Sequence, residues 1–170
     1  MTALTEIFNV GKLGLSSGEG RRFDLRVPVA PFDFGGQRYS LEGDRADVRL
    51  NVDHTTAGYS FRLRFPARLD GPCMRCLEQA AREIDVDARE IDQPGDVDEL
   101  SSPYLDGDEL DLASWARDAL ALALPVQIVC RDDCAGLCAV CGQNLNEDPG
   151  HEHEREPDPR WEALRELKLD

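Results

Sequence analysis

Apolar and polar residues alternate with a period of two along most of the first half of the chain. Phe23, Leu25, Val27 and Val29 form one such run; Val48, Leu50 and Val52 form a second, and Tyr59, Phe61, Leu63 and Phe65 a third. This period predicts strands with one buried face, and His54-Thr55-Thr56-Ala57-Gly58 predicts a hairpin connection between the second and third. A fourth run, Ile84, Val86 and Ala88, follows Cys73-Met74-Arg75-Cys76, so the two thiols fall in a tight reversal entered through Gly71-Pro72. The period then changes. Leu112, Trp115, Ala116, Ala119, Leu120 and Ala123 recur at helical spacing, with Asp108 or Asp111 as cap and Pro125 as stop, which predicts a helix from Leu112 to Leu124. A short final helix is predicted from Asp158-Pro159, with Trp161, Leu164 and Leu167 as its apolar stripe. The expected fold is α+β: an antiparallel sheet or small open barrel, one packed helix, and a Cys-rich C-terminal segment folding back on it.

Residues 92–111, DQPGDVDELSSPYLDGDELD, hold eight acidic residues, no basic one, two prolines and two glycines, the composition of a solvated linker. The expected organisation is one compact domain with a β-rich part (1–91), an acidic linker (92–111), and a part (112–170) holding the helix, the Cys-rich segment and the final helix. A length of 170 residues suits one domain or a compact pair. The net charge of −15 is uneven: residues 1–90 hold 13 Lys+Arg against 14 Asp+Glu, and residues 91–170 hold 6 against 20. An acidic half does not exclude an RNA partner for the balanced half. Neither a basic leader with an apolar run nor an apolar stretch of membrane-spanning length is found, so the expectation is a cytoplasmic protein without a membrane partner.

That compartment decides how the six cysteines are read, because cytosolic reductants keep thiols free and close spacing then points to metal. Four pairs have ligand spacing: Cys73 with Cys76, Cys130 with Cys134, Cys138 with Cys141, and His151 with His153. Structural zinc takes four Cys or His ligands, usually as two close pairs, so eight ligands make two closed sites. Joining Cys138 and Cys141 to His151 and His153 closes a short loop at little entropic cost. Cys73 and Cys76 then share an ion with Cys130 and Cys134, stapling the strands to the segment after the helix. A competing arrangement puts all four C-terminal cysteines on one ion; a single site, or none, is also open. CMRC alone suits a redox dithiol, but such a pair normally opens a helix within a βαβ unit, and strands flank this one. HEHE alone is often just a solvated acidic stretch.

No ligand is left over to leave a metal position open, and no phosphate-binding loop, dinucleotide fingerprint or nucleophile elbow is present. The expectation is a non-enzymatic protein with no small-molecule substrate.

The chain resembles the YceD family of large ribosomal RNA subunit accumulation proteins from roughly Leu41 to Leu167. The resemblance is carried by CMRCLE at Cys73–Glu78, ELDLASWARDALALALPVQIVC, CRDDCAGLCAVCGQNLN and DPRWEALREL. Many members resembling this form have Cys-x-Cys where this chain has His151-Glu152-His153, which keeps a metal-binding residue type at both positions. The resemblance implies a role in accumulation or maturation of large-subunit (23S) rRNA during ribosome assembly, with that rRNA or its precursor particle as partner.

For contact with RNA, Arg62, Arg64 and Arg68 project from the polar face of one predicted strand and Arg49 shares that phase on its neighbour, a set able to grip phosphates. The alternative for this face is a solvated surface balanced by Asp47 and Asp53. The acidic second half supports another class of function, a binding module or chaperone for a basic ribosomal protein.

Overall fold

In the computed structural model, residues 4–93 and 100–153 are described. The predicted final helix at 158–167 lies outside them. The chain runs β1 (Ile7–Asn9), β2 (Gly20–Pro28), β3 (Phe32–Phe34), β4 (Gln37–Leu41), β5 (Arg45–His54), β6 (Tyr59–Pro72), β7 (Gln79–Asp92), β8 (Leu105–Asp106), β9 (Glu109–Asp111) and α1 (Leu112–Ala123). The pairings among these strands are antiparallel, and an isolated parallel bridge joins Leu4 to Arg26. The fold is α+β, and the sheet is not a closed barrel.

The large sheet is organised on β6. Along one edge β6 pairs with β5 in its first half and with β4 near its end, while β7 runs along the other edge from Tyr59↔Asp92 to Pro72↔Gln79. The period-two runs of the sequence share one face. Leu25 lies opposite Val48, Leu50 opposite Leu63, and Phe65 opposite Val86. Helix α1 covers this face with Leu112, Trp115, Ala116, Ala119 and Leu120, all buried. Trp115 meets Phe61 edge-on at 6.4 Å and stacks with Tyr104 at 6.2 Å. Burying an indole of this kind contributes about 4–6 kcal/mol by area. Asp111 caps the helix by accepting from the Ser114 N–H at 2.9 Å, and Leu124, held extended ahead of Pro125, ends it.

Two features went unpredicted. Gly35 and Gly36, both at positive φ, turn the hairpin between β3 and β4. Part of the acidic stretch is folded: β8 and β9 form a small sheet with β1, where Leu110 lies opposite Phe8 and is fully buried. The expected hairpin after β5 is present, and Gly58 is required there because a Cβ would stand 2.0 Å from the Asp92 carbonyl oxygen. His54 is satisfied structurally, with Nδ1 2.9 Å from the Leu15 carbonyl and its ring stacked on Tyr59. Among the described residues, no helix is long and apolar enough to cross a membrane.

Candidate metal centres

The reversal between β6 and β7 is a knuckle. The Cys73 N–H donates to the Glu78 carbonyl (2.6 Å), the Leu77 N–H to the Cys73 carbonyl (3.0 Å), and the Arg75 N–H to the Cys73 sulfur (3.4 Å). Residues 138–143 repeat the pattern: Cys138 N–H to Gln143 carbonyl (2.8 Å), Gly142 N–H to Cys138 carbonyl (2.9 Å), and Val140 N–H to Cys138 sulfur (3.5 Å). The residue after the second thiol needs a left-handed backbone in both, with φ +64 at Leu77 and +77 at Gly142. Glycine takes this conformation freely, whereas leucine holds it at a cost of roughly 1–2 kcal/mol.

Each knuckle meets a second pair of ligands. Cys73, Cys76, Cys130 and Cys134 form one cluster, and Cys138, Cys141, His151 and His153 the other, with the ligand atoms of each within 4.8 Å of one another. In the first, the Cys73 and Cys134 sulfurs are 3.8 Å apart and those of Cys76 and Cys130 3.6 Å. Zn–S bonds of about 2.3 Å give a tetrahedron with edges of about 3.8 Å, so this spacing suits four thiolates around one zinc. In the second, the Cys141 sulfur lies 3.1 Å from His151 Nε2 and 3.2 Å from His153 Nε2, with the two nitrogens 2.9 Å apart. The corresponding tetrahedral edges are about 3.5 and 3.3 Å, so closure on an ion needs the ligands to move apart by a few tenths of an ångström. The Asp148 carboxylate stands 3.8 Å from His151 Nδ1, the ring nitrogen that faces away from the cluster.

The surroundings differ. In the first cluster Cys73, Cys76 and Cys134 are buried and Cys130 is exposed, whereas in the second Cys138 is half-buried and Cys141 exposed. The first cluster joins the sheet to the chain after α1, where the Met74 N–H donates to the Ile128 carbonyl (2.8 Å) and Arg75 Nη1 to the Cys134 carbonyl (3.0 Å).

Electrostatics make the clusters hungry for a cation. Burial pushes the Cys73 thiol up, but the backbone N–H groups of Cys76, Cys130 and Arg75 outweigh it and bring the thiol down to about 6. The N–H groups of Cys141 and Val140 likewise bring Cys138 down to about 6. Cys130 is pushed up to about 12 by burial and by hydrogen bonding with the neighbouring sulfurs. The first thiol of each knuckle is therefore shifted towards thiolate, whereas Cys76 and Cys130 are both raised and would give up their protons to a bound cation.

Sequence reading did not assign roles to Asn144, Asn146 or Arg75. The Asn146 amide donates to the Cys134 sulfur (3.4 Å) and is the main cause of that thiol's lowered pKa, while its oxygen accepts from the Ala135 N–H and from Arg131, both at 2.8 Å. Asn144 donates to the Glu78 carboxylate across the first knuckle at 2.8 Å. The Asn-Leu-Asn run directly after the second knuckle was the available signal, since paired amides beside thiolates can orient ligands.

The four arginines lie on the polar face, with Arg49 opposite Arg64. Three are held by carboxylates: Arg62 in a bidentate pair with Asp87, Arg49 with Asp24 (3.2 Å) and Arg68 with Asp70 (3.5 Å). The pairing with Asp87 raises the Arg62 pKa and lowers that of Asp87. Arg64 has no ion pair among the described residues, and its buried Nε has no hydrogen-bond partner.

With this geometry in place, comparison with known proteins is informative. The family model described as large ribosomal RNA subunit accumulation protein YceD matches residues 61–168, which include both knuckles and all eight candidate ligands. An uncharacterized protein of Mycobacterium tuberculosis is 32% identical over 158 residues, covering 87% of this chain and 75% of that one. An uncharacterized protein of Mycobacterium leprae is 33% identical over 102 residues, 56% of this chain and 46% of its own. The large ribosomal RNA subunit accumulation protein YCED homolog 1, chloroplastic, of Zea mays is 33% identical over 76 residues, 45% of this chain and 22% of its own. No solved structure matches.

Proposed function

The chain belongs to the YceD family of large ribosomal RNA subunit accumulation proteins, and from that premise we propose that it is a non-enzymatic, cytoplasmic factor for accumulation and maturation of 23S rRNA during assembly of the large ribosomal subunit. The family match carries this reading. We assign zinc to both clusters, one ion on Cys73, Cys76, Cys130 and Cys134 and one on Cys138, Cys141, His151 and His153. Four thiolates in one closed set, and two thiolates with two imidazoles in the other, suit structural zinc. An ion on the first cluster would fix the chain after α1 against the sheet, and the protein's own residues orient the ligands for it.

The partner in this reading is the large-subunit rRNA or its precursor particle. The arginine face is the proposed contact, with Arg64 the first to meet a phosphate and Arg49, Arg62 and Arg68 exchanging an aspartate for one. Depleting the protein from its host should lower the ratio of large- to small-subunit rRNA, and re-expression should restore it. An unchanged ratio contradicts the reading.

The charge of the second half favours a second reading, an acidic module that holds a basic ribosomal protein. Affinity capture with and without ribonuclease separates the two: rRNA-dependent recovery of subunit particles supports the first, and ribonuclease-resistant recovery of one basic protein supports the second.

A further inference from the structure

Strand β7 is an edge. It extends over fourteen residues without proline or glycine and pairs with β6 along its whole length, and among the described residues no strand pairs with its other side. Natural sheets seldom leave so long an edge unprotected, because its free N–H and C=O groups are a template for another strand.

Helix α1 lies beside that edge without touching all of it. Between them is a groove of about 440 Å³, lined by Asp85 through Glu90 on one side and by Tyr104, Trp115, Ala119, Leu122 and Ala123 on the other. Side chains alternate between the faces of a strand, so six consecutive residues border one groove only if it follows the backbone edge. Leu122 points into solvent at 88% exposure, an apolar side chain with nothing over it among the described residues.

We propose that this groove receives an extended basic segment of a protein partner, which adds as a strand to β7 and lays alternate apolar side chains against α1. The inference rests on the second reading above, that the chain holds a basic protein, and gives that reading a surface. Charge selects the occupant. On strand β7, among the described residues, Glu83 and Asp85 have no ion pair, Asp87 is held by Arg62, and Glu90 and Asp92 accept from Ser102; of the two cations, Arg82 is held by Asp132 and Arg89 has no ion pair. The last turn of α1 has no basic residue to offset the negative end of the helix dipole. On β7 the acidic Asp85 and Asp87 lie on the polar face and Val86 and Ala88 on the helix side, so a strand added beside them matches when lysine or arginine alternates with apolar residues.

The test uses the full zinc-loaded chain and a fluorescein-labelled decapeptide of alternating lysine and valine, followed by anisotropy and amide hydrogen exchange. Strand addition predicts saturable binding and new protection at alternate amides within 85–90. Two decapeptides N-methylated on every lysine or on every valine should differ by about tenfold or more in affinity, since only one set of peptide N–H groups faces β7. Leu122→Arg and Asp85→Arg, both surface changes, should each weaken binding by roughly tenfold without altering zinc content. Equal affinity for both methylated peptides and indifference to Leu122→Arg overturn the groove while leaving a basic partner standing, held by charge elsewhere. No saturable binding overturns the proposal, as does protection of the free β7 amides before peptide is added, which would mean that the chain itself fills the groove. Protection of the same amides by an oligouridylate in place of the peptide overturns it in favour of RNA.

Discussion

Replacing Cys76 with serine removes one ligand from the cluster that joins the sheet to the chain beyond α1. Cys76 and Cys130 are 54 positions apart, and closing a loop of that length constrains the unfolded chain by about 4 kcal/mol in the chain-entropy treatment of cross-links. Cys141 and His151 are only 10 apart, which gives about 3 kcal/mol and confines the effect to their own loop. Domains of this size have roughly 5–15 kcal/mol in total, so losing the first cross-link removes a large fraction. A sensitive reporter is the Met74 amide, whose bond to the Ile128 carbonyl exists only while the two segments are docked. Hydrogen exchange at Met74 in the Cys76→Ser chain should be faster than in the parent by up to about a thousandfold, the equivalent of the full ~4 kcal/mol if the three remaining thiols release the ion. In the His151→Ala/His153→Ala chain the Met74 rate should stay within a fewfold of the parent. Equal exchange in Cys76→Ser and parent, or equal acceleration in both variants, would refute the assignment of the long-range staple to the first cluster.

Four further outcomes are expected. Asn146→Ala removes the donor to the Cys134 sulfur and the acceptor for Ala135 and Arg131, and should cost about 1–3 kcal/mol in urea unfolding and speed zinc transfer to a chelating dye; unchanged transfer contradicts the role given to this amide. Gly142→Ala should cost about 1 kcal/mol although its Cβ meets nothing within 4 Å, whereas Leu77→Gly should shift thermal stability little, because relief of the left-handed leucine offsets the greater freedom of the unfolded chain. Burial raises the Glu90 pKa against the opposing Ser102 hydrogen bond, so charging this group disfavours the fold; the favourable neutral form is complete below the ordinary value of 4.5 and is lost as pH rises through the raised one. Glu90→Gln should therefore stabilise the protein at pH 7 by under about 1 kcal/mol, a gain that disappears below pH 4.5 in paired urea titrations. In the metal-free chain, Cys138, lowered to about 6 and half-buried, should alkylate before Cys130, which is pushed up to about 12; the reverse order by mass spectrometry contradicts the knuckle argument.

The strands that sequence periodicity made legible are those whose apolar residues face one shared core. Leu50, Leu63 and Val86 alternate because the sheet has a single covered face, and Trp115 and Ala119 recur at helical spacing because α1 is its cover. The hairpin of β3 and β4 is too short for a period to develop, and only Gly35-Gly36 marks it. Strands β8 and β9 were hidden by carboxylates around one buried apolar position, Leu110, whose partner Phe8 is a hundred residues away in sequence. The arrangement of the metal ligands was legible as one of several pairings, since spacing limits which thiols can meet but says nothing of which strands carry them together. Asn146 was marked by the Asn-Leu-Asn run, but its role was not legible because it depends on a sulfur in the other cluster. The arginine phase was readable, and so was Asp70 two residues after Arg68 on the same face, yet the aspartates that hold Arg49 and Arg62 lie on neighbouring strands, where only register shows them as partners.

The most direct test is zinc stoichiometry by mass spectrometry on untagged protein purified without chelator, measured in parallel on the His151→Ala/His153→Ala and Cys73→Ser/Cys76→Ser chains. Two closed sites with these ligand sets predict two zinc ions per chain in the parent and one in each double variant. Less than half a zinc in the parent, with all six thiols free to react in the folded protein, would contradict the account.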